Sequence, residues 1–206
     1  ANNNNACLDR IFSRGLLSKQ ALHSTPSSAI DILIPINFWR YLFFKTGSDG
    51  QLIKTWMDQF DATGAIEFDA HTYAKYSAGF LSNSATDEQT LALINSVYTT
   101  EGYLLDPHGA VSLVAVDRLK EQLGSEKLLC LATAHPAKFP EVIRQALAHD
   151  VLPDQALHHS IEKAKRLSEK LYVCEYNVVE YALRQAMLSN WPVSYTHLTL
   201  PTISSV

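Results

Sequence analysis

One threonine lies where an α/β protein would bind a ligand. The run Leu128-Leu129-Cys130-Leu131-Ala132 is short and apolar, and its length and composition predict a buried strand over Lys127–Thr133. Open α/β sheets bind ligands beyond the carboxyl ends of their strands, so the hydroxyl of Thr133 is a candidate ligand contact. The alternative is a threonine that only closes the strand.

Two polar residues lie three positions apart in a segment rich in aromatic side chains. Residues 37–44 are predicted to form a buried helix, with Asn37 and Arg40 on neighbouring faces. A guanidinium buried among rings needs a partner, and its donors fit a phosphate or a carboxylate. Asn37 and Arg40 are therefore candidate substrate contacts. An internal pair between Arg40 and Asp31 is the alternative.

Several histidines could take part in chemistry. His108 follows an Asp-Pro pair at a predicted helix start, where the helix dipole disfavours an imidazolium and leaves a neutral ring that can hydrogen-bond a substrate. A structural role in the loop-to-helix turn is the alternative, as it is for His135, whose backbone is restricted by Pro136. The adjacent His158 and His159 point to different faces of a charged helix, which argues against a metal site.

The elements that position these residues are mostly helices. Apolar spacing predicts a first helix that ends near Gly15, and a polar loop follows at 23–28, whose hydroxyls could bind phosphate or only form turns. Alternation of strand and helix in the second half favours an α/β domain with a mostly parallel sheet. The other predicted helices cover residues 37–44, 51–60, 110–123, 140–149 and, as a long charged helix, 157–189; a further helix is predicted to follow a Ser84 cap, with an acidic first turn, and to end at about residue 100.

The composition excludes several classes of function. The formal net charge of −4 gives no electrostatic basis for binding nucleic acid or an anionic membrane. The longest uncharged apolar run, Ile32–Phe38, is far shorter than the roughly 20 residues that span a bilayer. The 3 cysteines have no metal-ligand spacing and suit a reducing compartment, so we expect a cytoplasmic protein. No signal peptide is expected, and the absence of an initiating Met suggests an excised sequence.

Four short strings, taken in order, resemble those of threonine synthases. Their order and spacing agree with that family from residue 3 to residue 140. The strings are Asn3-x-Asn5-x-x-Leu8-x-Arg10; Thr25-Pro26-Ser27-Ser28-Ala29-Ile30-Asp31-Ile32 with Asn37-Phe38-Trp39-Arg40 after it; Leu105-Asp106-Pro107-His108-Gly109-Ala110-Val111; and Thr133-Ala134-His135-Pro136-Ala137-Lys138-Phe139-Pro140.

The resemblance implies a fold and a reaction. Threonine synthases are pyridoxal 5'-phosphate (PLP) enzymes of fold type II, similar to the tryptophan synthase β subunit, with helices packed on a mostly parallel sheet. They convert O-phospho-L-homoserine and water to L-threonine and phosphate. In such an enzyme, Thr133 would hydrogen-bond the pyridine nitrogen of PLP. The lysine that forms the Schiff base and the loop that binds the PLP phosphate lie upstream in the family, so this chain alone is expected to be inactive. Lys138 matches a lysine of the family that is not catalytic.

Three departures from the family pattern leave alternatives open. Ala6 stands where the family has Asp, Trp39 where it has Glu, and Gly109 where it has Thr. Vertebrate threonine synthase-like relatives act as phospho-lyases, so a lyase that releases phosphate without making threonine is one alternative. A catalytically inactive interaction module is the other. No nucleic-acid or membrane partner is expected, and the oligomeric state is not indicated.

The chain divides into three predicted parts. Residues 1–150 are assigned to the C-terminal portion of a PLP-binding catalytic domain, and residues 151–192 to a C-terminal helical segment. Residues 193–206 resemble a translated sequencing-library adapter, so we expect this tail to be foreign to the natural protein.

Overall fold

The computed structural model describes residues 1–125 and 127–168, and helices form most of its regular structure. By their internal contacts the residues divide into two units, Ala1–Lys163 and Ala164–Val206. The elements, in chain order, are α1 (Cys7–Arg14), β1 (Leu16–Ser18), α2 (Ile36–Lys45), α3 (Gly50–Thr63), β2 (Ala65–Glu67), α4 (Ala70–Ser77), α5 (Asp87–Glu101), α6 (Pro107–Leu123), α7 (Pro140–Leu147) and α8 (His159–Ala164), with single 3₁₀ turns at Ser28–Ile30, Pro136–Lys138 and Asp154–Ala156.

Local capping signals fix where the main helices begin and end. Thr86 caps α5 and forms a capping box with Gln89, which satisfies two of the free N–H groups at the helix start. Asp106 caps α6, with a proline at its first position. The first helix ends as predicted at Gly15, whose φ of 68° belongs to the left-handed region that favours glycine.

The sheet within the described residues is small. Strands β1 and β2 pair antiparallel, with Leu17 opposite Ile66, and an isolated parallel bridge joins Asn2 to Ser84. Neither this pairing nor α4 was expected from the sequence. Both depend on contacts that bring residues 65–77 back to α1, and helical or strand periodicity does not encode such contacts.

The strand predicted over Lys127–Thr133 is wrong for this structure. Residues 127–133 form neither helix nor strand. Leu128, Leu129 and Leu131 are 46%, 87% and 69% exposed. A strand that is buried on both faces needs neighbouring strands on either side, and no strand of the described residues pairs with this segment.

Two apolar cores hold the elements together. The first is rich in aromatic side chains and lies among helices α1, α2, α3 and α4, with Ile11 and Leu42 fully buried. Trp39 packs against this core, as the aromatic segment predicts. The second core joins α5, α6 and α7 around Ile94 and Ile143. A smaller cluster consists of Ala85, Val111 and Val114, and Ile30 and Leu93 pack against it. It therefore joins the 3₁₀ turn at Ser28–Ile30 to α5 and α6.

Some predictions concern residues that the structure does not describe. Of the long charged helix predicted over 157–189, the structure forms only α8, which ends at Ala164; residues 165–168 are not helical, so the prediction is wrong there, and residues 169–189 lie outside the described residues. The tail at 193–206 lies outside the described residues, as does most of the 151–192 segment. Among the residues that are described, no helix is long and apolar enough to cross a membrane.

Candidate functional site

Asn3 is the centre of a buried hydrogen-bond network. Its Nδ2 lies 2.8 Å from Thr25 Oγ1, 3.0 Å from Ser27 Oγ and 2.7 Å from Asp31 Oδ1, so its two N–H donors are shared among these three acceptors. The Nδ2 of Asn5 also donates to Asp31 Oδ1, at 3.0 Å. The structure therefore joins the first string of the sequence to the second through the side chains that define them.

The loop that contains Thr25 closes around the same carboxylate. The backbone N–H of Thr25 donates to Asp31 Oδ2 at 3.0 Å, and its hydroxyl donates to Asp31 Oδ1 at 2.6 Å. The hydroxyls of Thr25 and Ser27 lie 3.1 Å apart and both residues are buried. These hydroxyls are used inside the protein, which favours the structural interpretation of the loop over phosphate binding.

Asn37 and Arg40 lie on the exposed surface of α2. Arg40 is exposed, so the condition under which it would need a buried partner is not met. Its proposed internal partner, Asp31, instead accepts hydrogen bonds from Asn3, Asn5 and Thr25. Both side chains of α2 remain accessible to a ligand.

Arg10 is a candidate site residue that the sequence patterns did not single out. Its Nη1 donates to the carbonyl of Asn5 at 2.9 Å. Its Nε and Nη2 are buried and have no hydrogen-bond partner among the described residues. Arg10 belongs to the first string, two positions after Leu8, and its charge within that string was the available signal. Two unpaired guanidinium donors beside the Asn5 backbone are suited to an anionic group.

Asp106 and His108 form a buried pair at the start of α6. They are 3% and 6% exposed. Oδ1 of Asp106 accepts the backbone N–H of His108 at 2.9 Å and lies 2.9 Å from its Nδ1. Because a carboxylate only accepts, the Asp106 contact requires a proton on Nδ1, and in the neutral form of the ring Nε2 is left as an acceptor. This Nε2 is buried without a partner in the part of the chain that the structure describes.

The His108 ring also contacts the fourth string. Its centroid lies 5.0 Å from that of Phe139, with the two planes tilted by 58°. His135, in the same string, accepts the backbone N–H of Ala137 on its Nδ1 at 3.1 Å and so caps a 3₁₀ turn. This geometry favours the structural interpretation of His135. Thr133, two residues earlier, is exposed.

Burial shifts the pKa of two further side chains, those of Cys7 and Tyr76. Burial raises the pKa of the Cys7 thiol, which donates to the carbonyl of Leu33 at 2.9 Å. Burial likewise raises the pKa of Tyr76, whose hydroxyl donates to the carbonyl of Ile11 at 3.1 Å. Both groups are therefore protonated at neutral pH and serve as donors to backbone carbonyls, which argues against a nucleophilic role for Cys7.

Cavities of two kinds accompany these clusters. One of about 110 Å³ lies beside Asn3 and Asn5 and is bounded by Cys7 and Ile32. Another of about 340 Å³ lies between α5 and the end of α7 and contains no residue of the four strings. Only the smaller of these two cavities is lined by residues of the first string, among them Asn3 and Asn5.

The similarity to known proteins agrees with the four strings. A family model described as the C-terminal part of threonine synthase matches residues 109–183. The threonine synthase of Pseudomonas aeruginosa is 36% identical over 146 residues, which are 71% of this chain and 31% of that protein. Human threonine synthase-like 2 is 33% identical over 146 residues, or 70% of this chain and 30% of that protein.

A solved structure gives the same result for the fold. The PLP-bound threonine synthase of Brucella melitensis superposes with a TM-score of 0.77 at 30% identity, covering 90% of this chain and 39% of that one. The predicted α/β class and fold type II are confirmed by this likeness. The chain spans about a third of the length of the curated relatives that it matches. It belongs to the threonine synthase family and corresponds to the C-terminal part of its members.

Proposed function

We propose that this chain forms one wall of the active site of a PLP-dependent threonine synthase, a carbon–oxygen lyase that converts O-phospho-L-homoserine and water to L-threonine and phosphate. The observation that supports this proposal is the meeting of the four strings. Asn3 bonds Asp31, Ile30 packs in the cluster of Val111, and His108 packs on Phe139. Residues far apart in the chain, from strings that resemble those of the family, thus lie in contact.

We assign Thr133 of this wall to the ring end of the cofactor and His108 to the substrate. The hydroxyl of Thr133 is exposed, and no hydrogen bond in the described ranges uses it, so it is free to donate to the pyridine nitrogen. Nε2 of His108 is a buried acceptor without a partner. Groups that bind the PLP phosphate would come from the part of the family's domain that this chain does not span.

Each residue of the chain would have a distinct role. When bound, PLP supplies an electron sink for the negative charge that develops on the substrate carbons. Thr133 would hold the ring nitrogen by a hydrogen bond without giving up its proton. His108 would accept a hydrogen bond from the substrate, in an orientation fixed by Asp106. Arg40 and Asn37, exposed on α2, would bind the anionic groups of O-phospho-L-homoserine.

A phospho-lyase is the second candidate. Human threonine synthase-like 2 is nearly as similar to this chain as the Pseudomonas aeruginosa enzyme is. Gly109 also replaces the threonine of the family pattern beside the Asp106 carboxylate: a Cβ at Gly109 would lie 3.1 Å from Asp106 Oδ2. The chain therefore differs from the pattern next to a proposed substrate contact, which is where a change in reaction would be expected.

Product analysis separates the candidates. The complete protein that carries this chain would be incubated with PLP and O-phospho-L-homoserine. L-threonine with phosphate supports the synthase, whereas a 2-oxo acid with ammonia and phosphate supports the lyase. A folded protein that binds no PLP and forms neither product would be the inactive interaction module. The 206-residue chain by itself is expected to show no turnover.

The role of Thr133 has its own test. In the complete protein, Thr133→Val removes the donor to the ring nitrogen and is expected to shift the cofactor's visible absorbance. Thr55→Val is the control, because Thr55 is an exposed residue of α3 whose hydroxyl only bonds the carbonyl of Gln51. Equal spectra for the two variants would argue against contact between Thr133 and PLP.

The same proposal covers compartment and partners. We propose a small-molecule substrate as the main partner and the cytoplasm as the compartment. Cys7 and Cys130 are free thiols, which fits a reducing environment. Localisation of the tagged complete protein, compared with a cytoplasmic marker, tests the compartment.

A further inference from the structure

We propose that Arg10 is the centre of a binding site for a small oxyanion, beside the cavity that Asn5 and Ala6 help to line. The ligand is a group that presents two oxygens side by side, as inorganic phosphate and carboxylates do. This site is separate from the roles proposed for Thr133 and His108. It is formed by residues of the first helix and the loop before it, and its occupation requires no turnover.

The two free donors of Arg10 lie on one edge of its planar guanidinium. Nε and Nη2 each direct an N–H to the same side, and both are buried without a hydrogen-bond partner among the described residues. Nη1, on the other side, donates to the carbonyl of Asn5 at 2.9 Å. Two parallel N–H groups on one edge match the bidentate geometry that arginine adopts with carboxylates and phosphates.

The charge of Arg10 has no counter-ion in the described part of the chain. Among residues 1–125 and 127–168, none of the ion pairs includes Arg10. The carboxylate of Asp31 accepts from Asn3, Asn5 and Thr25 instead. Charged donors that are buried and unpaired are strongly unfavourable. Because both nitrogens are already buried within this chain, a small ion suits them better than the surface of another polypeptide.

Ala6 explains why the guanidinium lacks a partner. The backbone N–H of Arg10 donates to the carbonyl of Ala6 at 3.0 Å, so the two side chains start one helical turn apart. Ala6 has a left-handed φ of 46° and caps α1 without a side-chain hydrogen bond. Aspartate and asparagine tolerate this backbone better than alanine does. An aspartate here, which the family pattern has, would place a carboxylate within reach of Arg10, and this chain has a methyl group instead.

A cavity beside this turn provides room for the ligand. It measures about 110 Å³, and Asn5, Ala6 and Cys7 are among the residues that line it. Burial raises the pKa of the Cys7 thiol, and the positive charge of Arg10 acts against that rise. The charge of Arg10 therefore acts on the wall of the cavity. Since Nε and Nη2 have no hydrogen bond to lose, binding needs only a rotation of the guanidinium towards the cavity.

Phosphate binding by the complete protein that carries this chain tests the proposal. With PLP present and the ionic strength held constant with chloride, added phosphate should raise the melting temperature in a saturable way. Arg10→Lys keeps the charge but removes the planar fork, so the affinity for phosphate should fall by at least about tenfold. Arg14→Lys is the control, because Arg14 is an exposed residue of the same helix. Equal phosphate affinities in these two variants overturn the proposal.

Substitutions at position 6 provide a second arm that leaves Arg10 in place. Ala6→Asp supplies an internal carboxylate, so it should raise the melting temperature without phosphate and weaken phosphate binding by at least about tenfold. Ala6→Asn is the matched control, because it relieves the same backbone strain without adding a charge. Its affinity for phosphate should stay close to that of the wild type. Equal affinities in Ala6→Asp and Ala6→Asn contradict the site even if Arg10→Lys does not fold.

A parallel titration with acetate identifies the source of the oxyanion. Tighter binding of acetate than of phosphate indicates a carboxylate ligand, and the reverse order indicates phosphate. Saturable binding of neither probe overturns the proposal. The outcome is independent of the proposed activity: a site that Ala6→Asp closes is upheld even in a protein that makes no threonine. Threonine formation with equal phosphate affinity in all variants supports the activity and rejects the site.

Discussion

Replacing Asp106 with alanine is expected to destabilise the chain more than loss of an ordinary helix cap. Its carboxylate accepts from the backbone and the ring of His108 at 2.9 Å each, and from the N–H of Gly109 at 3.4 Å. Loss of a cap costs about 0.5–2 kcal/mol. Leaving the buried Nδ1–H without a partner costs about 1–3 kcal/mol more. The free energy of unfolding should therefore fall by roughly 2–4 kcal/mol.

Asp49 provides the matched control for this prediction. It caps α3 by accepting the N–H of Leu52 at 2.9 Å, but it is exposed and holds no histidine. Asp49→Ala should cost about 1 kcal/mol, the usual value for a cap. Urea denaturation followed by circular dichroism at a helical wavelength measures both variants. Asp106→Asn keeps one acceptor oxygen and should lie between Asp106→Ala and the wild type.

A double-mutant cycle isolates the contribution of the histidine. His108→Phe keeps a ring against Phe139 but removes the buried donor, so Asp106→Ala in that background should cost no more than Asp49→Ala does. The coupling between Asp106 and His108 should exceed about 1 kcal/mol. The reasoning is refuted if Asp106→Ala costs the same in both backgrounds, because the carboxylate would then act only as a cap.

Other substitutions test the rest of the structure. Asn3→Ala leaves buried polar groups without their hydrogen-bond partner and should lower the free energy of unfolding by about 1–3 kcal/mol. Asn37→Ala, on the exposed face of α2, should change it by no more than about 0.5 kcal/mol. Equal shifts in the melting temperature of the two variants would contradict this. A left-handed φ costs an L-residue about 1–2 kcal/mol, so Gly15→Ala and Gly47→Ala should both destabilise the folded chain. Gly15→Ala should destabilise it more, because a Cβ at Gly15 would lie 3.2 Å from a ring carbon of Tyr73, whereas a Cβ at Gly47 would contact nothing within 4 Å. Hydrogen bonds from the first turn of α4 lower the pKa of Asp69 below 3.8, so its contribution is present above that pH and is lost as the pH falls through the lowered pKa. Acid titration of Asp69→Asn should show a flatter loss of stability, and identical curves would refute this assignment.

Local signals in the sequence were sufficient for most helices. The Asp-Pro pair before His108 predicted a helix start, and the structure begins α6 at Pro107. The first helix ends at Gly15 as predicted. The acidic first turn of α5 was recognised, but the predicted Ser84 cap is wrong, because Thr86 caps this helix. Caps and helical periodicity depend on residues a few positions apart, so a single sequence contains the information.

Long-range pairing was not predictable in the same way. The predicted strand over residues 127–133 is not formed. Apolar residues indicate that a segment can be buried, but they do not specify which strand would pair with it. The aromatic neighbours of Arg40 suggested a buried helix, yet Arg40 is exposed while Phe38 and Leu42 of the same helix are buried in the first core. Arg10 was overlooked because its buried donors become apparent only once Asn5 folds back against it.

The two proposed contacts with cofactor and substrate differ in how this chain holds them. His108 is fixed before any ligand arrives, since Asp106 bonds its Nδ1 and Phe139 packs on its ring. Thr133 ends a segment with no backbone hydrogen bond among the described residues, so nothing in this chain fixes the direction of its hydroxyl. A donor contributes fully to binding only when its position is set in advance. The proposed contact of His108 is therefore preorganised within this chain, whereas the proposed contact of Thr133 is not.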